Sequence, residues 1–160
     1  MRLSNRRKAP LYNFIHTVLI LFFLTGIAAY LVEKYKVGLL GSAAILMIIF
    51  TLLLLVLFYL NGRQIFEYDS DGEALNFKNR NIIPILDRAI SDEFPKYKLK
   101  SYNVVSIFFV KRLYVTITSK KSATATLKYE VSYLTKKEIN DLKFSLSKVL
   151  KNNEERNTSK

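Results

Sequence analysis

Two stretches without a charged side chain decide what this sequence can fold into. No Asp, Glu, Lys or Arg occurs from Leu11 through Val32 (22 residues) or from Val37 through Leu60 (24 residues). As α-helices they would reach roughly 33 and 36 Å, and a bilayer's hydrocarbon core needs about 20 apolar residues. The chain is 50% apolar and 24% charged, and the apolar excess lies largely in these runs. That excludes an ordinary soluble protein. Only Glu33-Lys34-Tyr35-Lys36 separates the runs, so the spacing predicts an antiparallel membrane hairpin (11–32 and 37–60) with both ends on one side.

Charge orients the hairpin. The tail at residues 1–10 carries Arg2, Arg6, Arg7 and Lys8 and no acid, a net +4; the connecting loop is +1 and residues 61–160 are +7. Positive charge beside spans is retained in the cytoplasm. The expectation is a multi-pass membrane protein with a basic cytoplasmic tail at 1–10 and both termini cytoplasmic. Gly26-Ile27-Ala28 loosely imitates a signal-peptide cleavage site. The first run is too long for a signal peptide and another span follows it, so it is read as uncleaved.

Small residues gather near the loop end of both runs, and Gly26, Ala29, Gly38, Gly41, Ser42 and Ala44 are the candidate helix-packing positions, because small side chains let backbones approach closely. The opposite halves are bulky, from Phe14 to Phe23 and from Phe50 to Phe58. The hairpin is therefore expected tight at the loop and splayed or lipid-facing at its base. His16 is the single histidine. With Tyr12, Asn13 and Thr17 it reads as an interfacial anchor, since neither span holds an acid to partner it.

Residues 61–150 read as a domain of strands and one helix, followed by a disordered tail at 151–160. Ile65–Tyr68 and Ala74–Phe77 flank Asp69-Ser70-Asp71-Gly72, whose Asp-Gly suits a hairpin turn. Ile82, Ile83, Ile85 and Leu86 resemble a strand that Pro84 confines to an edge. Alternation marks further strands over Leu99–Phe109, Leu113–Thr118 and Ala125–Val131, six candidates in an antiparallel meander. Thr135 and Glu138 form a capping box, after which Ile139, Leu142, Leu146, Val149 and Leu150 make one apolar stripe, with Phe144 opposite.

Asp71-Gly72 at the opening hairpin, Phe94-Pro95-Lys96-Tyr97-Lys98-Leu99 entering the middle strands and Ser132-Tyr133-Leu134-Thr135-Lys136-Lys137-Glu138 opening the helix set out a bent sheet closed by a C-terminal helix after two spans. Over residues 61–150 the chain resembles bacterial pleckstrin-homology-like membrane proteins, particularly small two-span proteins of Bacteroidetes-type bacteria. The fold class expected is a membrane α-helical hairpin plus a mainly β α+β domain. The resemblance implies a barrel-like domain with a binding or scaffolding role, and it carries over no catalytic residue.

Lys96, Lys98 and Lys100 would share one face of an extended strand, with Lys111-Arg112 and Lys120-Lys121 at presumed hairpin tips. These seven are the candidate anion or headgroup-binding residues; a solvated charged face and an acidic protein partner are the competing readings. Ile107-Phe108-Phe109-Val110 ahead of Lys111-Arg112 suits a loop dipping into the membrane interface, or a strand end buried on both faces; burial is the expectation. Tyr97, Tyr102, Tyr114 and Tyr129 would make a stacking platform for nucleic acid, but no nucleic-acid motif accompanies them and none is expected to bind. Cysteine is absent, and Asp69, Asp71 and Glu73 sit where Asp serves as a turn former. No phosphate loop or paired carboxylates occur, so neither catalysis, cofactor nor metal is expected. The reading is a membrane-anchored binding or scaffolding module whose partners are the bilayer, anionic headgroups or a membrane protein. The alternative is an accessory subunit packing through its hairpin into a larger complex.

Overall fold

The computed structural model describes residues 1–37, 42–83, 88–119 and 123–158. It divides into a helical unit, Pro10–Leu60, and a second unit made of Met1–Ala9 with Asn61–Lys160.

In the helical unit, α1 (Ala9–Val32) and α2 (Ser42–Leu60) are both long and apolar enough to cross a membrane. Pro10 stands in the first turn of α1, where its missing N–H would have no partner anyway. Gly26 and Ala44 are buried, Ala29 is half-buried and Ser42 is exposed; Gly38 and Gly41 lie outside the described residues. A methyl group on Gly26 would sit 3.0 Å from Ile48 Cγ1. At the other end His16 Nε2 lies 2.6 Å from the Tyr59 hydroxyl, and the His16 ring is 5.9 Å from that of Phe58. Contact positions rise along one helix as they fall along the other, so the pair is antiparallel. At the bulky end Phe14, Phe22, Phe50 and Leu53 are exposed, as the lipid-facing expectation has it, and the helices meet there instead of splaying, His16 and Tyr59 satisfying each other's polar atoms where apolar neighbours offer none. Thr25 and Thr51 likewise donate to the carbonyls of Leu21 and Met47 in their own helices.

Among the described residues the second unit holds seven antiparallel strands in two sheets. β1 (Arg2–Ser4), β2 (Ile65–Asp69), β3 (Ala74–Arg80) and β4 (Ile90–Pro95) form the first, in that order; β5 (Leu99–Ile107), β6 (Val110–Ser119) and β7 (Ala123–Glu130) form the second. The α3 helix (Lys136–Thr158) packs over them. The expected turn is present, with Gly72 at φ +71° and the Asp71 N–H bonded to Asp69 Oδ1.

Three expectations are corrected here. Residues 2–4 are not a free tail; they pair with β2 (Leu3↔Tyr68), and Asn5 is buried against Gln64 and Phe66. Ile82 and Ile83 form a bend, Pro84, Ile85 and Leu86 lie outside the described residues, and the fourth strand is Ile90–Pro95. Asp92-Glu93 hid it, because only Ile90, Asp92 and Phe94 turn toward the core. The tail at 151–160 is helical to Thr158, and Asn153 donates to the carbonyls of Lys96 and Leu99.

One aromatic stack joins the sheets. Phe77 of β3 lies parallel to Tyr129 of β7 at 4.7 Å and to Phe94 of β4 at 5.7 Å. Leu75, Phe77 and Asn79 alternate inward along β3, and fully buried Asn79 is the polar clasp. Its Nδ2 donates to the Ile65 and Glu130 carbonyls, and its Oδ1 accepts the Glu130 N–H at 2.8 Å. The α3 stripe Ile139, Leu142, Leu146 and Val149 closes the same core, while Phe144 is exposed. Its capping box forms as expected, Glu138 N–H to Thr135 Oγ1 at 3.2 Å and Thr135 N–H to Glu138 Oε2 at 2.7 Å.

Asn79→Leu strands three buried backbone groups and should cost about 3 kcal/mol, measurable by urea unfolding of the full chain in micelles, followed by tyrosine near-ultraviolet circular dichroism. Burial works to raise the Glu138 pKa, but hydrogen bonds from Thr135 and the charge of Lys8 outweigh it and hold the carboxyl low. Asp71 is held low chiefly by its hydrogen bond with the N-terminal ammonium of Met1. Both native values lie below their unfolded ones, so the stabilisation is present above the ordinary carboxylate range and is lost as pH falls through the lowered values. The thermal midpoint should drop between pH values of about 6 and 3, and Glu138→Gln should flatten that fall.

Candidate functional site

Strand direction gives the second unit two distinct ends. At the first, the chain leaves into α1 past Lys8 and returns through Asn61. Gly62 turns it there with φ +82°, close against the Glu130 carboxylate, which accepts the Arg63 N–H at 2.7 Å. Lys8 Nζ lies 3.4 Å from Glu138. Arg112 pairs with Glu130 across β6 and β7, the Val131 N–H donates to the Lys111 carbonyl, and the Lys111 N–H to Ser132 Oγ. Residues 8, 63, 111–112 and 130–138 therefore belong to one end.

From that end β5 and β6 run on as a two-stranded ribbon. Ser106↔Lys111 and Ile107↔Val110 lie past Arg112↔Glu130, the last β6–β7 pair. Phe108 and Phe109 close the hairpin. Phe108 is 93% exposed, Phe109 71% and Ile107 62%. The expected burial is corrected, because the third strand stops before the ribbon does. Phe108 also has φ +51°, a left-handed conformation that costs a non-glycine residue about 1–2 kcal/mol. The tip thus holds a bulky apolar residue where glycine is the favoured occupant. Lys111 and Arg112 follow on opposite faces of the ribbon. Both are half-buried, and Arg112 Nε is a buried donor with no hydrogen-bond partner.

Lys96 and Lys98 stand at the other end. They lie in a 3-10 turn, not on the strand expected, because the chain changes direction after Pro95 to start the second sheet. Lys96 Nζ donates to the Gly72 carbonyl, and Lys100 is exposed on β5. A groove of about 440 Å³ opens here, lined by Tyr97, Phe144, Lys148 and Arg156 among others. Lys120 and Lys121 lie outside the described residues. The nine residues of β5 put roughly 30 Å between Lys98 and Phe108, nearly four Debye lengths of about 8 Å at physiological salt. Among the described residues the candidate cations are split between two ends and form no single patch.

The tyrosine platform also dissolves. Tyr129 is buried, donates to Asp92 at 2.8 Å, and has its phenol pKa raised by burial and then by Asp92. The Tyr102 hydroxyl is engaged by Ser147 of α3 at 2.6 Å. Among the described residues no cluster of His, Asp and Glu is placed to hold a metal ion. Sequence reasoning missed Asn5, Asn79 and Glu130, which build the first end; for Asn79 the inward alternation with Leu75 and Phe77 was the available signal. Comparisons with family models, curated proteins and solved structures found no match.

Replacing Phe108 with Gly relieves the left-handed strain without uncovering any core. It should stabilise the domain by about 1 kcal/mol, seen as a raised unfolding midpoint for the full chain in detergent.

Proposed function

We propose that this chain is a membrane-anchored, non-enzymatic binding or scaffolding module, carrying a pleckstrin-homology-like domain at the cytoplasmic face of a bacterial inner membrane. One observation carries the reading: β1, before the first apolar helix, is hydrogen-bonded to β2, after the second. A sheet cannot form across a bilayer, so both flanks of the hairpin occupy one side. Arg2, Arg6, Arg7 and Lys8 and the net +7 of residues 61–160 favour the cytoplasm for that side. A meander in two sheets with a C-terminal helix over its core supports the pleckstrin-homology-like assignment. Two covalent connections then hold the domain beside the lipid. The accessory-subunit reading is the weaker, since Gly26 and Ala44 are taken up within the hairpin.

The chain has no cysteine, so single substitutions report cleanly. Arg7→Cys and Lys98→Cys should resist a membrane-impermeant maleimide on spheroplasts and react after lysis, whereas Tyr35→Cys should react on intact spheroplasts. Labelling of Lys98→Cys from outside would refute the placement.

A further inference from the structure

We infer that the Ile107–Phe109 tip seats in the interfacial layer of an anionic membrane, its aromatic rings among the upper acyl chains and Lys111 and Arg112 at the lipid phosphates. The inference rests on the membrane-anchored reading above and adds a third, non-covalent attachment. The ribbon leaves the domain at the end where the chain passes to and from the apolar helices: Arg112 pairs with Glu130, Glu130 accepts the Arg63 N–H, and Arg63 stands three residues after Leu60. Phe108 is four residues beyond Arg112, roughly 13 Å of strand, so the tip projects past the end of the domain from which the chain passes to the apolar helices.

Composition matches that destination. Three exposed apolar side chains lead, and cations on both faces of the ribbon follow one strand pair behind, the order in which acyl chains and phosphates are met on entering a bilayer. Arg6 and Arg7, exposed just before α1, and exposed Lys136 and Lys137 add positive charge at the same end. The acids there are engaged, Glu130 with Arg63 and Glu138 with Lys8. Arg112 is half-buried on the ribbon, and its guanidinium is a planar fork of donors that suits a lipid phosphate. A protein partner fits less well. Two phenylalanines and an isoleucine offer about 500 Å² of apolar surface at most, below the roughly 600–800 Å² that each partner contributes to a stable interface.

The test uses the full chain reconstituted in vesicles of equal parts phosphatidylglycerol and phosphatidylcholine. A polarity-sensitive fluorophore is placed by Phe109→Cys, Lys98→Cys or Leu53→Cys, and doxyl-labelled lipids serve as quenchers. Quenching at position 109 should be at least about threefold that at position 98. It should fall by at least about half with Lys111→Glu and Arg112→Glu together, or in phosphatidylcholine alone. Equal quenching at 109 and 98, with strong quenching at 53, overturns the tip inference and leaves the anchored reading standing. Weak quenching at 53 overturns the anchored reading itself. A blue-shifted but unquenched label at 109 also overturns the inference, in favour of contact with protein or a second copy. Circular dichroism of each variant confirms that the domain remains folded.

Discussion

Asn5 joins the two ends of the chain. Its side chain donates to the Gln64 carbonyl and accepts the Phe66 N–H, each at 2.8 Å, while its own N–H donates to the Phe66 carbonyl at 3.2 Å. Registered on these bonds, Leu3 drops into the core and β1 covers an edge of β2 that would otherwise lie open. An open edge invites pairing with other chains, so the N-terminal segment protects the sheet as well as completing it. The constraint is also topological: a chain that departs through one apolar helix and returns through another must close the same sheet on both sides of that excursion. Two tethers follow, which narrow the domain's freedom far more than one flexible linker would.

That clasp determines which end of the domain matters. The strands run between an end built from Lys8, Arg63, Glu130 and Glu138 and an end built from the Asp69–Gly72 turn and the Lys96–Lys98 turn. A net charge of +12 suggests one broad basic surface, but the fold distributes the cations to both ends. The lysine-rich turn is partly structural, since Lys96 bonds the Gly72 carbonyl and Asn153 fastens the turn to α3. Lys111 and Arg112 stand at the opposite end, beside the hairpin tip. Backbone strain at Phe108 falls at the same place. A left-handed, exposed phenylalanine contributes nothing to the core, and such strain gathers where a site requires it.

Much of the architecture was legible because it rests on local rules. The Asp71-Gly72 turn, the Thr135–Glu138 box and the α3 stripe each depend on residues within a few positions of one another, so spacing exposed them. Other elements were illegible for reasons specific to their residues. Arg2-Leu3-Ser4 is too short and polar to mark a strand, and it becomes one only because Tyr68 lies opposite. Ile90–Pro95 carries Asp92-Glu93, acids that look like loop until Asp92 is seen to accept the Tyr129 hydroxyl. Helix beyond Leu150 looked frayed by composition, yet Asn153 has a task that only the turn at Lys96 creates.

The sequence by itself determined that two apolar helices turn back on each other and that a β-rich, positively charged domain with a capped C-terminal helix follows them. Those features depend on hydrophobic run length, alternation and capping, all of which act over short distances along the chain. Tertiary structure alone decided that the first nine residues belong to that domain, that Asn79 and Tyr129 bind its two sheets together, and that Phe108 stands outside the core. Each of these depends on which distant strand ends where, and a pattern of residue types holds no record of that.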